Sequence, residues 1–175
     1  FDLYKAYEQL LQHIETTNPN YHYLKYSIGT TSVADLQAWL ATQTQTALIS
    51  YMLTDNCLFV FVATATHFEA MRLPLPSNFK TQIEGFMDSI NCHNQDDYVE
   101  IGYELYQILL QKPLQAITQH LPNVQHLVII PDNELCYLPF EALLSSSQDW
   151  DTPYNELPYV LQQYDISYHY SATLL

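Results

Sequence analysis

Thiol and imidazole chemistry needs Cys and His held at short range, and this chain carries three of the first and seven of the second. The cysteines are Cys57, Cys92 and Cys136; the histidines are His13, His22, His67, His93, His120, His126 and His169. A thiolate nucleophile requires a base within hydrogen-bond reach and donors aimed at the developing oxyanion. Cys57 opens the apolar run "CLFVFVAT" and Cys136 lies in "ELCYLP", so both read as small core residues, Cys being among the most buried side chains. Cys92 and His93 are adjacent in a polar loop, but neighbours in sequence seldom face each other. No glycine-rich turn surrounds them. With only Gly29, Gly85 and Gly102 in the chain, phosphate-cradling loops are missing as well.

Metal chemistry has no better footing. The histidines show no H-x-x-x-H, no H-E-x-x-H and no Cys/His cluster, so no metal ligand and no cofactor is expected. The acidic pairs Asp96–Asp97 and Asp149/Asp151 read as solvated loop charges. The 15 tyrosines recur at helical and alternating spacings, which favours rings buried at the core margin with wet hydroxyls over a carbohydrate-binding face.

Charge narrows the partners. The formal net charge is −14, from 19 Asp and Glu against 5 Lys and Arg. Those cations (Lys5, Lys25, Arg72, Lys80, Lys112) are scattered, so no basic stripe exists to neutralise phosphates, and nucleic acid is not an expected partner. The same balance argues against an anionic membrane surface. No apolar run reaches the roughly 18 residues of a membrane span. An odd number of cysteines without C-x-x-C spacing fits a reducing compartment, hence the cytoplasm. The opening "FDLYKAYEQLL" is amphipathic and does not resemble a signal peptide. It lacks an initiator Met, and the chain closes on "SATLL"; both ends are expected to be cuts in something longer.

The elements that would position any site follow from periodicity. Leu3, Tyr7, Leu10, Leu11 and Ile14 place a helix over residues 2–15. "TTNPN" breaks it, and Tyr21 to Ile28 is a Tyr-rich segment whose form stays open, a strand being one option. In "TTSVADLQAWLATQ" Ser32 stands three residues before Asp35, a capping arrangement, and Leu36, Trp39 and Leu40 form the buried face of a second helix. "TALISYML", "CLFVFVAT" and "HFEAMRLPL", separated by "TDN" and "AT", form an antiparallel meander that Pro74 and Pro76 stop. Residues 78–91 and 97–111 are helical by spacing, with "NCHNQDD" as loop or cap between them. "PLQAITQHL" starts a further short helix at Pro113.

"HLVIIPDNELCYLPFEALL" changes the pattern. The run "VQHLVIIP" is of the kind buried on both faces of a parallel sheet, and "PFEALL" is expected to be a helix begun by Pro139. After the polar loop "SSSQDWDTPYNELP" come "YVLQQYD", a short helix or turn, and "ISYHYS", a strand. The expected fold class is therefore α/β: N-terminal helices and an antiparallel meander leading into the first half of a parallel sheet. Leu127–Ile130 and Ile166–Tyr170 are expected to be parallel neighbours, and the short link "PLPSN" should keep the meander packed with that sheet.

Pro131–Asp132, Leu138 to Leu143 and Ser171–Ala172–Thr173, in this order and spacing, resemble the opening of a CHAT domain. "SVADLQAWL" followed by the meander is similar to the segment preceding that opening, so the resemblance covers about residues 31 to 175. Such domains are caspase-like, of the clan that includes separase, and usually stand behind tetratricopeptide repeats. The resemblance implies residues 1–30 as a helical linker or the end of a repeat array, and residues 31–175 as the N-terminal part of a caspase-like domain. It also implies a Cys–His dyad on segments downstream of the "SATLL" equivalent. None of this chain's own Cys or His is then catalytic.

In open α/β sheets ligands gather at the carboxyl ends of strands, and Asp132 follows "LVIIP" at that end. By the resemblance, Asp132, Phe140 and Glu141 are candidates for a substrate pocket. The alternative is that Asp132–Asn133 only make a turn and Phe140 packs beneath a helix. Two functions are compatible with these readings. One is the scaffold half of a cysteine peptidase acting on a protein or peptide. The other is a non-catalytic interaction module joining tetratricopeptide repeats to a degenerate caspase-like domain and holding a regulatory protein. An unfinished sheet edge would also invite self-association.

Overall fold

A strand apolar on both faces must be covered on both sides, and the sequence supplies helices for each. The computed structural model describes residues 30–174 together with Tyr7, His13, Thr16 and Thr17. The chain divides into two compact units, Phe1–Thr31 and Ser32–Leu175. The helix expected over residues 2–15 and the segment Tyr21–Ile28 lie outside the described residues, apart from Tyr7 and His13, which are helical.

The second unit begins with α1, Val33–Thr42. Ser32 caps it as its spacing suggests, accepting the Asp35 N–H at 3.1 Å and donating to the Asp35 carboxylate at 2.6 Å. Strands β1 (Thr46–Leu53), β2 (Cys57–Ala63) and β3 (Phe68–Pro74) follow. After helices α2 (Phe79–Cys92), α3 (Gln95–Tyr106) and α4 (Lys112–His120) come β4 (His126–Ile130) and β5 (Asp165–Tyr168). All five strands form one sheet in the order β3-β2-β1-β4-β5. β1 pairs antiparallel with β2, and β2 with β3, as a meander should. β1 also pairs parallel with β4, Ser50 opposite Ile130, and β4 parallel with β5, Leu127 opposite Ile166. The meander does more than pack with the parallel strands: β1 belongs to both.

Alternation along β1 and β4 divides the core. Ala47, Ile49, Tyr51, Leu127 and Ile129 face the layer of α2, α3 and α4. Leu48, Val128 and Ile130 face the other way, against Leu36 and Leu40 of α1. That double burial explains why β4 is apolar after His126 and why β1 interrupts its apolar run with a single small polar residue, Ser50. Asn94, from the segment read as loop or cap, caps α3, its side chain accepting the Asp97 N–H. Asp96 and Asp97 thus stand in the first helical turn rather than in a loop. Carboxylates there complement the positive helix end.

Two expectations about helices need correction. α3 runs through a π-helical turn, Gln107–Gln111, straight into α4, so Pro113 sits near a helix junction and not at a free start. "PFEALL" is no helix beyond one 3-10 turn, Phe140–Ala142. Leu143 and Leu144 are both fully buried. Their backbone is committed elsewhere: the Leu143 carbonyl accepts the Val160 N–H at 2.9 Å and the Leu144 N–H donates to Gly102 at 3.4 Å. Leu144 forms a β-bridge with Tyr159. Tertiary pairing has overridden the local helical preference.

Candidate functional site

The carboxyl ends of β1, β4 and β5 lie side by side, since the parallel register sets Ser50 beside Ile130 and Ile129 beside Tyr168. In open α/β sheets this is where ligands gather. Asp132 stands just past β4, and its carboxylate accepts the Leu53 N–H at 2.8 Å. It thereby ties the end of β1 to the start of the β4–β5 connection. A charge-assisted bond to a backbone donor is among the stronger protein hydrogen bonds. Asn133 then turns the chain at φ 50, a left-handed conformation Asn tolerates better than most residues.

Phe140 is fully buried and stacks on Tyr51, ring centroids 5.4 Å apart. Its N–H donates to the Tyr168 hydroxyl at 2.9 Å, and that hydroxyl donates in turn to the Glu141 carboxylate. Tyr168, on β5, therefore holds the "PFE" segment at two points. Burial, then the hydrogen bond to Glu141, pushes its phenol well above the ordinary range, so it remains a donor at neutral pH. Of the three sequence-chosen residues, Phe140 and Glu141 are brought together through Tyr168, while Asp132 is turned toward β1.

Beside them lies a cavity of about 290 Å³ lined by Pro131, Cys136, Tyr168, His169 and Tyr170. Cys136 was expected in the core and is exposed. It sits in the 3-10 turn Asn133–Tyr137, where Leu135 is the buried residue and Leu138, three further on, is buried too. Three residues per turn leave Cys136 and Tyr137 outside. Cys57, by contrast, is buried as expected. Cys136 and His169 share the cavity wall, yet no hydrogen bond joins them, so no thiolate–imidazole pair is assembled.

Sequence reasoning did not select Tyr168. The alternation in "ISYHY" was the available signal, since it places Tyr168 and Tyr170 on one side of β5. A larger hollow, about 520 Å³, lies along α3 between Glu100, Tyr103 and Trp150, away from the strand ends. Among the described residues no group of three or more His, Cys, Asp or Glu is placed to hold a metal ion. No described helix is long and apolar enough to cross a membrane.

No curated protein matches the chain. The model of the CHAT domain matches residues 99–175, a span from within α3 to the end of the chain that includes Asp132, Phe140, Glu141 and Tyr168 but not the end of β1. That match is similarity to a CHAT domain over the C-terminal part of the chain, and it is consistent with the N-terminal part of such a domain.

Proposed function

We propose that this chain is the scaffold half of a caspase-like cysteine peptidase, with the His and Cys of the dyad supplied downstream of it. The observation that carries this reading is the strand-end arrangement, in which Tyr168 braces Phe140 and Glu141 while Cys136 and His169 remain unpaired. Glu141, which is partly exposed, then meets a protein or peptide substrate, while the fully buried Phe140 and Asp132 act through the segments they anchor. Residues 1–30 would form a helical linker or the end of a tetratricopeptide array, and the setting would be cytoplasmic.

The test is a peptidase assay on the chain alone, on the longer protein, and on that protein's Cys57→Ala, Cys92→Ala and Cys136→Ala variants. The chain alone should cleave nothing, and each variant that keeps its melting temperature should keep its turnover. Complete loss of turnover in one well-folded variant would place the nucleophile inside this chain and sink the assignment.

A second reading is favoured by β5, which pairs only with β4 among the described residues and leaves its outer edge open. An open edge is a template for another strand, so a non-catalytic module could hold a regulatory protein or a second copy there. Finding neither a His–Gly segment nor a strand-end Cys in the following sequence would leave this reading alone.

A further inference from the structure

A second cavity of about 290 Å³ is lined by Ser89, Ile90, His93, Tyr98, Ala142, Tyr154 and Tyr159. Three of its walls are tyrosine rings. Tyr154 meets Tyr98 edge-on, centroids 5.9 Å apart at 60°, and Tyr159 tilts against Tyr98 at 6.5 Å and 55°. Tyr98 thus stands at a steep angle to both other rings. Phe86 stacks on Tyr98 at 5.1 Å and fixes it from the core side.

Two of the polar groups of this cavity are spent. The Tyr98 hydroxyl donates to the Ala142 carbonyl at 2.6 Å, and the Ser89 hydroxyl to the Phe86 carbonyl at 2.7 Å. The rest of the lining is mainly ring and aliphatic surface, with the Tyr154 and Tyr159 hydroxyls and the His93 ring as its other polar groups. What remains is electrostatic. Aromatic faces carry negative charge density that attracts a cation. Ser89, Ile90 and His93 also place the cavity at the C-terminal end of α2, the negative end of the helix dipole. No Lys or Arg lines it, and the chain as a whole carries −14.

We propose that this cavity binds a trimethylammonium group, a weakly hydrated cation that asks for aromatic faces and no hydrogen-bond acceptor. The volume, near the roughly 300 Å³ lower bound for ligand pockets, suits one such head group. A free choline-like molecule and a trimethylated lysine side chain present the same chemistry. The site shares no lining residue with the strand-end cavity, and its binding test is read separately from any peptidase activity.

The experiment titrates the full chain with choline and with 3,3-dimethylbutan-1-ol, its uncharged isostere, following tyrosine ring resonances by NMR. A third arm uses a short peptide carrying trimethyllysine, beside the same peptide unmethylated. Choline should bind saturably and more tightly than the isostere by roughly 3- to 30-fold, the range a cation–π contact supplies. If the methylated peptide binds more tightly than choline, the group comes from a protein; if it binds more weakly, from a small molecule. Tyr154→Phe should retain binding and Tyr154→Ala lose it, with both variants' melting temperatures confirming the fold. Equal affinity for choline and the isostere, no saturable shift in any arm, or unchanged binding by Tyr154→Ala would each overturn the proposal.

Discussion

The Tyr51 hydroxyl donates to the Leu109 carbonyl at 3.0 Å inside the core. Leu109 is the residue four back from Pro113, whose missing N–H cannot serve it in α-helical register. A strand side chain thus supplies the donor at the π-helical turn where α3 becomes α4. Tyr51→Phe should cost about 1–3 kcal/mol by leaving a buried acceptor unsatisfied. Pro113→Ala, which restores an N–H, should recover part of that loss in the double variant. Chemical denaturation of the four proteins tests it; strictly additive effects would mean the hydroxyl does not stand in for the absent N–H.

Alkaline pH should be the destabilising direction for this fold. Burial, followed by the neighbouring phenol of Tyr168, raises the Tyr51 phenol well above 10.0. Burial, followed by Tyr159, raises Tyr98 in the same direction. In both cases the folded chain holds the proton more tightly than the unfolded chain. Their contribution is therefore fully present below the unfolded value of about 10 and lost as pH rises from there toward the folded values. Melting temperature should fall above about pH 10, and Tyr98→Phe should show a shallower decline. An unchanged alkaline slope in that variant would remove Tyr98 from the account.

Two glycines in the helical layer should respond to Ala with opposite signs. A Cβ on Gly102 would stand 3.0 Å from the ring of Phe86, which is fully buried and stacked on Tyr98. That ring has nowhere to move, so Gly102→Ala should destabilise despite its better helix propensity. On Gly85 the nearest atom is the Ile101 Cδ1 at 3.2 Å, the tip of a flexible, partly buried side chain. Gly85→Ala should then be neutral or gain up to about 1 kcal/mol. Melting curves of the two variants decide the matter, a shift of like sign in both counting against it.

The thiols should divide by access. Cys92 and Cys136 are exposed and Cys57 is buried. The Thr54 hydroxyl, then Arg72, lowers the Cys57 thiol's pKa, which favours the thiolate, but reaction also needs an approach path. A colorimetric thiol reagent should consume Cys92 and Cys136 quickly in the native protein, and Cys57 only after denaturant is added. Rapid modification of Cys57 in the folded chain would contradict the burial of β2.

Strand content and pairing were largely legible from the residues, because burial on both faces leaves a distinctive apolar run in β1 and β4. The Ser32 cap was legible for the same reason of locality, donor and acceptor being three residues apart. The strand-end site was only half legible. Asp132, Phe140 and Glu141 were selected by position after β4, but the hydroxyl joining two of them comes from Tyr168, 27 residues beyond Glu141. The false helix at "PFEALL" and the false core assignment of Cys136 share one cause. Both lie in the β4–β5 connection, where 3-10 turns and bonds to Gly102 and Val160, not periodicity, decide which side chain turns inward.

The double membership of β1 sets an order of events. β1, β2 and β3 are joined by short turns and can pair locally as soon as they exist. The parallel partner of β1 arrives late: Ser50 waits for Ile130, with three helices to be made in between. Loop closure on that scale delays folding, and until β4 docks, the central strand of the finished sheet is an open edge in a nascent hairpin. The central strand of the native sheet is thus the one most exposed to misassociation on the way there. During synthesis that interval would last as long as the ribosome takes to deliver β4.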